Sequence, residues 1–201
     1  MMDHAPLLLA AFPPELAGLD IHLPPGWRVN CVGVGAISAA VNTARLLAAQ
    51  NPSLVLFVGT CGGYDERLAV GDLLCASAAL DLSLDVLEER AYLPKNQIER
   101  WPATLGEALP LDLPAHAVAV PAGITRTREG AKRLSAFAAV EHLELTGVLA
   151  ACREVGVPCG AVLGVANQVG PEAHGQWLAN HHQVSRKLIA ELMAQGIFRR
   201  R

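Results

Sequence analysis

Five places in this 201-residue chain carry groups that could do chemistry together. They are Glu15 behind Phe12-Pro13-Pro14, the segment Gly33-Val34-Gly35, the run Gly59-Thr60-Cys61-Gly62-Gly63, Glu144 and Asn167. All but Glu144 follow short apolar runs that read as strands, and in an open α/β sheet ligands collect beyond the carboxyl ends of the strands. The glycines let backbone approach a ligand and expose N–H groups, but neither glycine run matches a dinucleotide fingerprint or a phosphate-binding loop. Val148, Ala151 and Val155 follow Glu144 at the spacing of one helix face, which predicts that Glu144 stands on that apolar face. Arg153 and Glu154 fall on the other face. A lone carboxylate buried among aliphatic side chains costs several kcal/mol unless a partner answers it, and a polar ligand such as a ribose diol would do so.

Plainer readings stand beside these. Glu144 could pair with Arg126, Arg128 or Arg133 as a structural ion pair. Asn167 could be a strand-end turn residue, and Glu15, after two prolines, an ordinary first-turn helical acid. Cys61 has no histidine placed to activate it and reads as a packed thiol. His174, His181 and His182 follow no ligand pattern and read as a surface helix and its approach, so no metal is expected.

The elements that must position these groups alternate. Apolar runs at Pro6–Ala11, Val29–Val34, Leu54–Val58, Ala117–Val120 and Cys159–Ala166 predict strands. Helical patterns cover Ile37–Gln50, about Glu129–Phe137, Glu141–Val155 and His181–Ala194. This rhythm calls for an α/β fold with a mostly parallel sheet. The stretch Leu82–Pro114, with four prolines, breaks the rhythm and reads as loops or an edge excursion. No linker divides the chain, so residues 1–201 are expected to form one domain.

Composition narrows the function classes. With 52% hydrophobic and 17% charged residues, the chain can fill a sizeable core. Its formal charge of −3, with no basic run before Arg199, Arg200 and Arg201, gives no footprint for nucleic acid. No apolar run reaches the roughly 20 residues that span a bilayer, and Leu7–Phe12 is too short for a signal peptide, so no membrane partner and a cytoplasmic location are expected. Five cysteines in apolar surroundings, with no metal spacing, suit free thiols in a reducing compartment.

Taken in order along the chain, the motifs resemble those of the purine nucleoside phosphorylase and nucleosidase superfamily. Val32-Gly33-Val34-Gly35 before an Ala-rich helix resembles that family's second strand and helix. Phe57–Gly63 followed by Val70-Gly71-Asp72 resembles its glycine loop and "VGD" signature. Val140-Glu141-His142-Leu143-Glu144 resembles its ribose-binding element. Asn167 lies 23 positions beyond Glu144 (167 minus 144), where the family places a purine-recognising Asp or Asn. Within the superfamily, the Val-Glu-x-Leu-Glu form, Asn167, Gly123–Thr127 and Val169-Gly170-Pro171 before Trp177 look most like futalosine hydrolases, which release hypoxanthine from futalosine in the alternative menaquinone pathway.

That resemblance implies a three-layer fold with a central, mostly parallel, mixed twisted sheet flanked by helices. It implies hydrolysis of the N-glycosidic bond of a 6-oxopurine nucleoside without a cofactor. Asn167 would assist the leaving base and Glu15 would handle water, while Glu144, Leu143, Thr60, Cys61, Gly62, Gly35 and Thr125 would bind substrate. Phe57-Val58 stands where phosphorylases carry a phosphate-binding Arg, and Leu163 stands where nucleosidases carry an Arg. A nucleoside phosphorylase, a methylthioadenosine nucleosidase and a catalytically altered nucleoside-binding relative are the alternatives. Relatives of this kind are homo-oligomers, often sharing sites across the interface.

Overall fold

The computed structural model describes residues 4–19, 26–65, 67–94, 98–106 and 108–198, and Arg199–Arg201 lie outside the described residues. Alternation along the strands sets the layers. In β1 (Leu7–Ala10), Leu7 and Leu9 face one core while Leu8 and Ala10 face another, and β3 (Val55–Gly63) repeats the pattern with Val55 and Phe57 against Leu56 and Val58. Every residue of β3 is buried, as are the first nine of β8 (Cys159–Gln168). Strands covered on both faces need such unbroken apolar runs. The first core is capped by α1 (Ala36–Gln50) and α4 (Leu145–Glu154), the second by α5 (Ala173–Ala194). The result is the expected three-layer α/β arrangement.

Eight strands form one mixed sheet. β2 (Arg28–Cys31), β1, β3 and β8 run parallel in succession, and β4 (Leu73–Asp81) pairs antiparallel with β8 and parallel with β6 (Ala115–Val120). The two-residue β7 (Val140–Glu141) bridges β6 and the glycine-rich end of β3, and β5 (Arg100–Pro102) edges β4. The short helix α2 (Leu84–Leu87) packs beside α3 (Arg128–Leu134) in a third apolar cluster.

Several expectations shift. Strand β4 was not foreseen, because its Ala- and Ser-containing run lacks the β-branched residues that mark strands. Gly59–Gly63 is not a loop but the continuation of β3, since β8 runs alongside it and completes its ladder. The helix expected from Glu141 begins at Leu145, because Val140 and Glu141 are captured by β3 and β6. The last helix begins at Ala173 rather than His181 and so carries His174 and Trp177.

Two features bring the starts of α1 and α4 together. Gly33 and Gly35 both hold positive φ, 86° and 89°, which turns the chain sharply off β2 into α1. Gly147 in α4 lies directly against the backbone of α1, where a Cβ would run into the Ala36 carbonyl and lie 3.0 Å from the Ala40 nitrogen. Backbone atoms cannot yield as a flexible side chain would. Gly147→Ala is therefore expected to lower unfolding stability by about 2 kcal/mol, read as a reduced urea midpoint at unchanged slope. An unaltered midpoint would show that the helices have room to part.

Candidate active site

Beyond the carboxyl ends of β1, β3 and β8 the chain encloses a cavity of about 370 Å³. Glu15, Thr60, Cys61, Gly62, Leu143, Glu144 and Asn167 all line it, so the structure gathers these seven expected residues around one hollow. Gly35 and Thr125 are not in its wall. Gly35 contacts Glu144 from behind, and Ile124 lines the cavity in place of its neighbour Thr125. Leu163 is fully buried in the first core, away from the wall.

A register slip delivers Asn167. Cys61 pairs with Val165 but Gly62 pairs with Asn167, leaving Ala166 as an extra residue in β8. Such bulges re-aim a side chain and commonly border functional sites. The amide lies over Gly62, where a Cβ would sit 2.9 Å from Asn167 Nδ2 and 2.7 Å from Val169, so only glycine leaves it room. Nδ2 donates one hydrogen bond to the Gln168 carbonyl at 3.2 Å. The other N–H and the amide oxygen remain for a ligand.

Glu15 sits in a 3-10 turn over Pro13–Leu16 and is only 3% exposed. Its carboxylate is held by two strands: Oε2 accepts from the Ala11 N–H just past β1 at 3.0 Å, and Oε1 accepts from the N–H of Thr60 within β3 at 2.8 Å and the Thr60 hydroxyl at 3.1 Å. Burial nevertheless wins over these donors, and with the Glu144 charge adding to it, the Glu15 pKa is pushed up to about 7. A carboxyl poised there can exchange a proton near neutral pH.

Glu144 is buried as expected, but by a different geometry. It is the residue before α4 rather than part of a helical face, and Val155 of the supposed face is 59% exposed. Its Oε1 accepts from the Gly35 N–H at 2.7 Å, so the close approach of α1 and α4 supplies the partner that no arginine does. Arg126 and Arg128 are exposed, and Arg133 lies 3.6 Å from Glu88 instead. Oε2 lies 3.3 Å from His142 Nδ1. That nitrogen already accepts from the Glu144 backbone N–H at 3.1 Å, and burial pushes the His142 pKa down, opposed by Glu144. A neutral ring with that lone pair engaged carries its proton on Nε2 and has none at Nδ1 to give to Glu144. Oε2 is thus left in need of a donor, on a residue that lines the cavity.

Four further residues escaped the sequence reading. Glu141, next to Glu144 in the motif, also lines the cavity; burial raises its pKa against hydrogen bonds from Thr125 and Tyr64. Thr125 donates its backbone N–H to Glu141 Oε1 at 2.9 Å and so anchors the wall carrying Ile124. His142 packs edge-on to Phe57, ring centres 5.3 Å apart. Its burial could have been inferred from strand alternation had β7 been recognised. Trp177 and His174 line the cavity from the first turns of α5, and His181 stacks behind Trp177 at 4.1 Å rather than lying on the surface. The extra turns at the start of that helix concealed them. Burial raises the Cys61 thiol well above its ordinary value, which keeps it protonated. Among the described residues no group of three His, Cys, Asp or Glu could hold a metal ion, and no helix is long and apolar enough to cross a membrane.

A mixed sheet between helical layers, with buried acids near its strand ends around one cavity, defines the class of α/β protein to which the fold belongs. The chain belongs to the phosphorylase superfamily, whose profile matches residues 28–195. It is 29% identical to the futalosine hydrolase of Streptomyces coelicolor over 177 residues, covering 80% of this chain and 75% of that protein. It is 23% identical to the 5'-methylthioadenosine/S-adenosylhomocysteine nucleosidase of Shewanella halifaxensis over 202 residues, covering 90% and 84%. Among solved structures, a futalosine hydrolase mutant of Helicobacter pylori superposes with TM-score 0.80 at 18% identity, covering 96% of this chain and 98% of that one.

The raised pKa of Glu15 has a consequence for stability. Between an unfolded value near 4.5 and the folded value of about 7, the folded chain binds more protons, so this group's contribution is full below 4.5 and is lost as pH rises to 7. Glu15→Gln removes that dependence. Comparing pH 4.5 with pH 8 by urea denaturation, the wild type should lose roughly 3 kcal/mol more than the variant. Parallel profiles for the two proteins would refute the raised value.

Proposed function

We propose that this protein is a nucleosidase that hydrolyses the N-glycosidic bond of a 6-oxopurine nucleoside of the futalosine type. The observation that carries the reading is that Glu144 and Asn167 face one cavity, with Glu15 in the same wall. Glu144 Oε2 lacks a donor, and a ribose hydroxyl supplies one. The free N–H of the Asn167 amide can donate to O6 or N7 of the departing base, both acceptors, steadying the negative charge that develops on it. An Asp at that place would instead suit a base that must be protonated, so Asn favours hypoxanthine over adenine.

In the proposed reaction Glu15 accepts a proton from water, whose oxygen attacks the anomeric carbon as the C–N bond breaks and its electron pair leaves with the purine. Neither Lys nor Arg appears among the described residues lining the cavity, which holds three glutamates. Phe57, at the place of the phosphorylases' phosphate-binding arginine, is fully buried in the core. These features favour water over phosphate as the acceptor.

The purified protein is expected to release hypoxanthine from futalosine in phosphate-free buffer. Asn167→Ala should lower kcat/KM about 100-fold, and Asn167→Asp should shift preference towards methylthioadenosine. Release of adenine alone by the wild type, or turnover that requires phosphate, would overturn the reading.

The same proposal includes a homo-oligomer. Val34, just ahead of α1, and Ile37 and Val41 on its first turns are 60%, 82% and 56% exposed, and Val34 also lines the cavity. A second copy covering this ridge would close the cavity's mouth. Ile37→Glu is expected to shift sedimentation towards the monomer and to raise KM; a wild type that sediments as a monomer at micromolar concentration would refute it.

A further inference from the structure

Trp177 reaches the site from α5, and its indole N–H is a donor with no accepting capacity. It lies 3.1 Å from Thr60 Oγ1. The hydroxyl oxygen is therefore the acceptor in that contact, and its single proton is left for its other neighbour, Glu15 Oε1, also at 3.1 Å. Without the indole, a threonine hydroxyl can turn about its C–O bond and lose that orientation. The indole itself is fixed, stacked on His181 with ring centres 4.1 Å apart and planes 7° from parallel, and flanked by Phe12 at 6.0 Å.

We propose that Trp177 is a positioning residue for the general base: its N–H locks the Thr60 hydroxyl as a donor to Glu15, which saturates Oε1 and leaves Oε2 as the atom that takes the proton of the attacking water. This rests on the nucleosidase reading of Glu15. The count of partners carries it. Oε1 accepts two donors, the Thr60 N–H and hydroxyl, whereas Oε2 accepts only the Ala11 N–H. A carboxylate oxygen has two in-plane lone pairs, so only Oε2 has one to spare. In the step, the water O–H bond breaks, its proton passes to Oε2, and the new C–O bond replaces the C–N bond, whose electrons leave with the base.

The ionisable groups around this relay are Glu144, whose charge bears on Glu15, the thiols of Cys31 and Cys61, and His142, whose Nε2 and Glu15 Oε1 both lie close to where a Cβ of Gly59 would stand. His174, His181 and His182 lie along the stack behind the indole. All of them remain in Trp177→Phe, which removes the indole N–H and part of the ring while keeping an aromatic ring beside His181, and the Thr60→Val background separates loss of the N–H from the change in packing.

Weakening a donor to a carboxylate raises its pKa. The acidic limb of the kcat/KM profile is therefore expected to move up by about half a pH unit in Trp177→Phe. In a Thr60→Val background the same change should move the limb no further, because its route is already cut. KM does not decide the matter, since Trp177 lines the cavity and any change there alters binding. A limb that stays put, or one that moves equally in both backgrounds, overturns the proposal. A second readout needs no turnover. In 15N-labelled protein the Trp177 indole resonance, identified by its loss in Trp177→Phe, should move on Thr60→Val and titrate with a midpoint that disappears in Glu15→Gln. An indole signal indifferent to both changes sinks the relay. A responsive indole in a protein that cleaves no purine nucleoside keeps the relay and sinks only the nucleosidase reading.

Discussion

Acidic side chains buried within one aliphatic cavity repel each other and lose hydration, and the fold around this site is organised to offset that cost. The compensation comes from backbone rather than from cations. Glu15 is held by the Ala11 N–H just past β1 and the Thr60 N–H within β3, and Glu144 by the Gly35 N–H at the start of α1. Backbone donors at the ends of elements are fixed by the ladder or helix they belong to, so they hold a carboxylate without the entropy loss of ordering a long basic side chain. They also leave lone pairs unfilled. A guanidinium would have engaged both oxygens of each acid, whereas these N–H groups leave a lone pair on Glu15 Oε2 and the Oε2 atom of Glu144 open to a ligand.

This scheme depends on glycines placed where two backbones must nearly touch. Gly147 admits α1 against α4 and thereby carries Gly35 to Glu144, and Gly62 admits the Asn167 amide against β3. The extra residue in β8 at Ala166 then turns Asn167 into the same hollow. Core packing, strand register and site geometry are thus one construction: the long pairing of β3 with β8 that fills the centre of the sheet also sets the distance between the amide and the acids.

Much of this was legible in the residues. The apolar runs located β1, β2, β3, β6 and β8, most plainly where a strand buried on both faces needs unbroken apolar sequence, as in β1, β3 and β8, and residues near the ends of several of these runs line one cavity. What could not be read was whatever depended on a partner distant in sequence. Gly59–Gly63 has the composition of a loop and becomes strand only because β8 lies alongside it; Val140–Glu141 has helical spacing and becomes strand because β3 and β6 claim it. The burial of Glu144 was foreseen for the wrong reason, since helical periodicity suggested a face where tertiary contact between two helix starts was the cause. Trp177 was hidden by Gly175 and Pro171, which weaken the signal of the helix that carries it.

The charge of the cavity bears on what it can accelerate. Three glutamates without a cation among the described lining residues make a place hostile to an anion and hospitable to positive charge. On the proposed reading, a neutral nucleoside gains little from that field when it binds. As the glycosidic bond stretches, positive charge grows on the sugar and negative charge on the base, and only then do the acids beneath the sugar and the amide beside the base act at full strength. Interactions that strengthen from ground state to transition state are those that raise kcat. On that reading fixed dipoles and desolvated acids arranged this way meet the requirement, and the same desolvation that destabilises ionised Glu15 in the fold and raises its pKa is what would let it take a proton from water.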